Sequence, residues 1–415
     1  MEFEVGFGST TEKFSFPEEN LAGVLLTNPV KTELTGSAEV ERALNQPIGL
    51  DALEKLVKPW QKIAVITSDI TRPLPSKDVL PAVLARLAKA GIPKDSITIV
   101  FALGSHRPHK DAEKEHLVGT DILRDYDCVD SSAEGYVHMG ITSRGTPVDI
   151  AAPVAHADFR IALGNIEYHY FAGYSGGAKA LMPGVSNYDA IQANHSRMTE
   201  EGAIAGKLDG NPVREDIEET MRICPIHYIV NVVLNEHKQI VRAFAGDVKL
   251  AHREGCRYLD TLYRKDITAL SDIVVVSQGG APKDLNLYQT QKALDNAKHA
   301  VRPGGIIILV GSCREGMGQP VFEEWMTTAQ KPRDLIDRIQ ADFRLGGHKA
   351  AAIAMVLEKA GIYLVSEMEP DFVRSIFMTP YAHVQEALDA AFRKLGKDAK
   401  VLVMPYGGST LPVLV

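Results

Sequence analysis

The sequence has little of what marks a secreted, membrane-spanning or nucleic-acid-binding protein. It has four cysteines, Cys128, Cys224, Cys256 and Cys313, too widely spaced to form a paired motif. Neither a disulfide framework nor a zinc knuckle is expected, and the thiols read as reduced groups of a cytoplasmic protein. No apolar run approaches the roughly 18–20 residues needed to span a bilayer. The opening Met1-Glu-Phe-Glu-Val5 shows no basic stretch followed by an apolar one, so no secretory signal is expected. An excess of basic charge is also missing. The net charge of −8 and pI near 5.9 argue against nucleic acid or an anionic membrane as the main partner. Internal repeats and low-complexity segments are absent. What remains is a chain of 415 residues, 45% hydrophobic and 24% charged. That is an ordinary globular composition, long enough for two or three cores.

Short apolar runs alternate with longer helical patterns, the signature of a parallel α/β architecture. Ile63–Thr67 reads as a buried strand and is followed by a helix over about 76–90. Further strands are expected at Ile97–Phe101 and Phe159–Leu163, so three polar or glycine-rich loops begin where a strand stops. Open α/β sheets bind ligands at those carboxyl ends. A second α/β unit starts near residue 270, with strands Ile273–Ser277 and Ile306–Val310 around a helix that runs to about Ala300. A helical stretch near Asp247 to Leu262 separates the two units and reads as the linker. A helix over 384–395 precedes a last strand, Val401–Met404, which fits either sheet.

Four loops carry candidate chemistry. Ser68-Asp69-Ile-Thr71-Arg72-Pro73 clusters a carboxylate, a hydroxyl and a guanidinium. Arginine can grip a phosphate or carboxylate in a bidentate fork, although a capped turn uses the same residue types. Gly104-Ser-His106-Arg-Pro-His109 places one histidine directly after a strand, which suits proton transfer near neutral pH. His109 reads as its neighbour. The third loop runs His169-Tyr-Phe-Ala-Gly173-Tyr-Ser175-Gly176-Gly177-Ala-Lys179, continuing to Asn194-His195. It is not a phosphate-binding P-loop, because Ala178 and Ala180 flank Lys179 where glycine and a hydroxyl residue belong. The dinucleotide pattern Gly-x-Gly-x-x-Gly is also missing. A lysine among glycines is instead a candidate for covalent attachment, since a desolvated amine is a nucleophile. In the fourth loop, Gln289 and Lys292 are three residues apart and share a helical face. An amide beside an ammonium suits a carboxylate.

Taken together, Asp69-x-Thr71-Arg72-Pro73, Gly104-x-His106-Arg107, the His169–Gly184 loop, His195 and Tyr288-Gln289-x-x-Lys292 resemble the nickel-dependent lactate racemase family. Its members are racemases and epimerases of 2-hydroxy acids. The resemblance implies two Rossmann-like parallel-sheet α/β domains with the active site in the cleft between them. Residues 1–262 plus 396–415 would form the cofactor-binding domain, and 263–395 would close over the substrate. It also implies nickel held in a nickel-pincer nucleotide, a pyridinium-derived mononucleotide joined covalently to Lys179. His195 would ligate the nickel. Asp69, Thr71, Arg72 and the Ser175-Gly176-Gly177 turn would lie against the cofactor. His106 and His169 would be the acid–base pair, and Tyr288, Gln289 and Lys292 would hold the substrate. Cofactor-biosynthesis proteins would be transient partners.

The chemistry suits these residue types. Reversible hydride transfer from Cα passes through a planar 2-oxo acid and avoids a carbanion beside a carboxylate. Two bases are needed because the enantiomers present their hydroxyls on different sides. The far end of the substrate is not specified, so lactate and larger hydroxy acids both stay open. Loops 311–319 and 343–349 are candidates to line that end, with Arg314, Arg344 and His348 expected at the surface. Two other readings remain: a zinc hydrolase built on His106, His169 and His195, and a non-catalytic carrier of a nucleotide-like cofactor.

Overall fold

The computed structural model describes residues 1–29, 32–235 and 237–415. The chain divides into two compact units, one formed by Met1–Pro29 with Leu262–Val415 and the other by Val30–Thr261.

In the unit Val30–Thr261 the run Ile-Ala-Val-Ile becomes strand Ile63–Ser68, five of whose six residues are buried. Near-continuous apolar strands are what a parallel sheet covered on both faces requires. Six strands form the sheet, in the spatial order 240–246, 228–234, 159–165, 63–68, 97–102 and 127–130. All neighbours are parallel except Tyr228–Leu234 with Ile240–Gly246. The helix Ser76–Lys89 sets Val79, Leu80, Val83 and Leu87 into one core with Ile97, Ile99 and Phe101. Strand order reverses between Ile63–Ser68 and Phe159–Asn165. At such a reversal the connecting chains leave in opposite directions and open a crevice at the strand ends. Asp69 follows one of these strands and the His169 loop follows the other.

The other unit has a six-stranded sheet that is parallel throughout, ordered 379–381, 361–365, 301–310, 271–277, 401–404 and 21–24. This corrects the expected domain limits. Val401–Met404 does not return to the first domain; it pairs with Ile273–Val276 on one side and Leu21–Val24 on the other. The N-terminal residues belong here too, and the cause is apolar burial. The hairpin Glu2–Phe7 with Thr10–Ser15 places Val5, Phe14 and Phe16 in a core with Ile306, Val365 and Val403. Buried Asp284 anchors the hairpin by accepting the Gly8 N–H at 2.7 Å, and the Ser277 hydroxyl donates to the Gly6 carbonyl at 2.6 Å. A Cβ at Gly6 would stand 2.3 Å from the Gly279 carbonyl carbon, so only glycine allows this approach. The unit boundary falls within helix Val248–Tyr263, the stretch read as the linker. Among the described residues no helix is long and apolar enough to cross a membrane.

Placing an unpaired carboxylate in this core should cost more than about 3 kcal/mol. Val403→Asp is therefore expected to accelerate hydrogen exchange in 271–277 and 21–24, while 63–68 and 97–102 keep their protection. Mass-spectrometric exchange checks both halves of that pattern.

Candidate active site

His106 has the surroundings that a general base requires. Its Nδ1 lies 2.7 Å from Asp69 Oδ2, and the Thr71 hydroxyl donates to the same carboxylate at 3.0 Å. Asp69 is buried and also faces Arg72, whose Nε is 4.0 Å from Oδ1. Burial alone would raise the Asp69 pKa. The hydrogen bond and charge of His106, then Arg72 and Thr71, outweigh it and hold the carboxyl below its usual value. An ionised carboxylate at Nδ1 fixes the imidazole with its proton there and leaves Nε2 as the basic nitrogen. Asp69 and Thr71, expected against a cofactor, also face His106. Arg72 is exposed and keeps its outer guanidinium nitrogens for an anion.

His109, read as a neighbour, is a strut. Its Nδ1 lies 2.6 Å from Asp130 Oδ1, and its Nε2 accepts the Ile70 N–H at 3.0 Å. That bond ties the strand ending at Ala102 to the turn that carries Asp69 and Thr71.

The His169–His195 segment is built round Phe171. Its buried ring meets His169 edge-on at 4.5 Å and His195 at 4.9 Å, and the Lys179 ammonium lies 5.9 Å from its centroid. The three residues singled out in this segment therefore share one apolar plate, which the sequence reading did not identify. A second missed residue is Arg214, on helix Pro212–Ile223. It is fully buried and donates to the carbonyls of Ala172 and Tyr174, while Nη1 has no hydrogen-bond partner among the described residues.

These cations set the protonation of the loop. Crowding round the Lys179 amine, then the charges of Arg214 and Arg72, hold its pKa well below that of an ordinary lysine. His169 is likewise pushed well below the usual imidazole value, first by burial of its ring nitrogens and then by Lys179, His195, Arg72 and Arg214. Both groups are thus biased toward their uncharged forms, an amine with a lone pair and a neutral imidazole.

His195 is 7% exposed, and its Nδ1 lies 2.9 Å from Asn194 Oδ1. The amide side chain is itself held: Asn194 Nδ2 donates to Asp216 Oδ2 at 2.8 Å, and Asp216 accepts the hydroxyls of Thr142 and Thr146, each at 2.6 Å. A histidine that donates its Nδ1–H to a fixed acceptor presents Nε2 as a metal ligand, and such outer hydrogen bonds orient it. Among the described residues no group of three His, Cys, Asp or Glu side chains is placed to hold a metal. His106, His169 and His195 do not assemble the zinc site considered from sequence.

The glycines of the loop are needed for packing within the fold. A Cβ on Gly173 would lie 2.0 Å from the Lys207 carbonyl oxygen, and one on Gly177 would lie 2.8 Å from His252 Cγ. Both have positive φ, 77° and 58°. They let the loop pack against its own unit, with the Gly177 N–H donating to Asn231 Oδ1 at 2.7 Å. The Ser175 hydroxyl is similarly committed, donating to the Asn165 carbonyl at 2.7 Å and accepting the Glu167 N–H at 2.8 Å.

In the unit that carries Leu262–Val415, Asn286 caps helix Leu287–Ala297 by accepting the Gln289 N–H. This sets Tyr288, Gln289 and Lys292 in its first turns, with Lys292 exposed. Arg314 and Arg344 are at the surface as expected, and Arg344 pairs with Asp342 at 2.8 Å. His348 is not. It is buried between the rings of Phe343 and Tyr288, and its Nδ1 accepts the Gly346 N–H at 3.0 Å.

The state of Lys179 is open to direct measurement. An ordinary lysine is acylated about tenfold faster for each pH unit below its pKa of about 10.4. At Lys179 the rise should level off at a lower pH than at the exposed lysines. Competitive labelling read by peptide mass spectrometry checks this, and a rise at Lys179 that parallels the exposed lysines up to pH 10 would refute the lowered pKa.

Comparison with known proteins gives the site its family. Residues 7–206 match the lactate racemase N-terminal domain, and residues 267–412 match the lactate racemase C-terminal domain. The chain is 34% identical over 403 residues to the lactate racemase of Lactiplantibacillus plantarum, covering 94% of each. It is 32% identical over 420 residues to that of Thermoanaerobacterium thermosaccharolyticum, covering 98% of each. Its fold is similar to the lactate racemase apoprotein structure from T. thermosaccharolyticum, with a TM-score of 0.89 and 30% identity over the whole of both chains. A crystal structure of a Thermotoga maritima protein shares the fold alone, with a TM-score of 0.65 and 17% identity over 94% of this chain and 100% of that one. The chain belongs to the lactate racemase family and is an isomerase.

Proposed function

We propose that this protein interconverts the enantiomers of a 2-hydroxy acid, with lactate the first substrate to test, using a nickel-pincer nucleotide bound covalently at Lys179. The observation that carries the reading is the trio gathered on Phe171: a lysine and an imidazole at His169, both biased toward their uncharged forms, and a histidine at 195 oriented through Nδ1. Each matches one requirement of the cofactor. A neutral amine can form an amide-type linkage, whereas an ammonium cannot. His195 supplies a single ligand nitrogen, and a pincer group brings its other donors with it. Arg72 offers a guanidinium to a phosphate. The strand orders of both sheets support the Rossmann-like reading of the two units.

When bound, the nucleotide supplies a reversible hydride acceptor, so that the substrate can pass through its planar 2-oxo acid. The remaining work belongs to the chain. His106, held by Asp69, takes the hydroxyl proton of one enantiomer at Nε2. His169, kept neutral by burial and by the cations round it, does so for the other. On the return step the opposite histidine gives a proton back. Each such transfer is typically worth about 10²–10⁴-fold in rate. Tyr288, Gln289 and Lys292 hold the substrate carboxylate.

Protein produced together with the cofactor-biosynthesis proteins should carry a mass increment on the peptide containing Lys179 and should racemise either pure enantiomer of lactate. Racemisation by a protein with an unmodified Lys179 refutes the reading. His106→Ala and His169→Ala should each abolish inversion with the increment retained, whereas His195→Ala should lose nickel by metal analysis. Asp69→Asn should lower kcat by at least about 10²-fold, as expected when an imidazole loses its orienting carboxylate.

A further inference from the structure

The first turn of helix Leu287–Ala297 is pressed by a cation to which no role has been given. Lys349 lies in the first turn of helix Gly347–Leu357 and is 6% exposed. Its Nζ donates to the Tyr288 carbonyl at 2.5 Å and stands 4.1 Å from the centroid of the Tyr288 ring. Among the described residues no carboxylate lies within ion-pair distance of it. The acid whose charge it feels, Asp295, is already bound by Lys298 at 2.9 Å and by Gln291 at 2.5 Å. The charge of Lys292 adds to that of Lys349 rather than balancing it.

This is an unfavourable place for an ammonium. Burial without an ion partner penalises the charged form. The N-terminal turn of a helix, whose N–H groups carry partial positive charge, repels a cation further. Burial first, and then Lys292, push the Lys349 pKa down to about 7. An arriving anion would relieve both penalties.

We propose that Lys349 is a positioning residue for the substrate carboxylate. It fastens Tyr288 by ring and carbonyl, and with Lys292 it supplies the second of two positive charges that the carboxylate of a 2-hydroxy acid balances. The inference rests on the assignment of Tyr288, Gln289 and Lys292 to substrate.

The test compares lactate with lactamide, its uncharged amide, by calorimetric titration of the cofactor-loaded enzyme. A residue that only maintains the fold affects both compounds alike, whereas a charge acting on the carboxylate affects lactate alone. Lys349→Gln should lose at least about tenfold in lactate affinity, the scale of a hydrogen bond to a charged group, with lactamide binding unchanged. In turnover KM should rise far more than kcat falls. Lys349→Arg should keep lactate affinity within a few-fold. If the arginine does not fit and the variant fails to fold, the lactate-to-lactamide ratio in Lys349→Gln decides the question. Equal losses for the two compounds, or no loss for lactate, overturn the proposal. The two readings fail separately. An enzyme that discriminates lactate from lactamide through Lys349 yet inverts neither enantiomer refutes the racemase reading alone. Inversion without that discrimination refutes only the role of Lys349.

Discussion

The Arg214 guanidinium, fully enclosed and unpaired with any carboxylate among the described residues, bonds the carbonyls of Ala172 and Tyr174. Two consequences follow from this one placement. The carbonyls belong to the loop that begins at His169, so the guanidinium fixes the backbone on which His169 and Phe171 stand. Its charge also acts on Lys179, His169 and His252, holding all three toward their neutral forms. A carboxylate partner would have cancelled that field. Left without one, the arginine adds its charge to the burial that already disfavours protonation of these groups.

The two proposed bases reach their working state by different means. His106 stands beside an ionised carboxylate, which orients it and accepts the proton on Nδ1. Among the described residues no acid pairs with His169; its Nδ1 accepts the Ala172 N–H at 3.3 Å and its ring packs on Tyr170 and Phe171. Two bases serving mirror-image substrates thus need not have mirror-image surroundings. His195 is governed by a third arrangement, a relay through the Asn194 amide to Asp216 and two threonines.

Much of this was legible in the sequence because it is local. Apolar runs bounded by turns gave the strands at 63–68, 97–102 and 271–277, and the loops that follow them contain His106, His169, Lys179 and His195. What could not be read depends on partners far apart in the chain. Asp69 and His106 are 37 residues apart, Asn194 and Asp216 are 22 apart, and Arg214 lies 40 from Tyr174. No periodicity encodes such a pairing. The glycines were seen, but their reason was not, since only the fold brings Lys207 and His252 against them. The strand Val401–Met404 was recognised as a strand but assigned to the wrong domain, because a parallel strand shows the same apolar run in any sheet.

The pairing of Leu21–Val24 with Val401–Met404 makes the middle unit an insertion within the sequence of the other. Synthesis therefore delivers the two units in a fixed order. Residues 30–261 leave the ribosome as one uninterrupted stretch whose sheet can close as soon as it is complete. The N-terminal hairpin and strand wait, with Val5, Phe14 and Phe16 lacking their core, until almost the whole chain has emerged. Contacts of that sequence separation form slowly and leave apolar surface exposed meanwhile. The unit proposed to bind the cofactor can be finished before the unit proposed to bind the substrate has assembled.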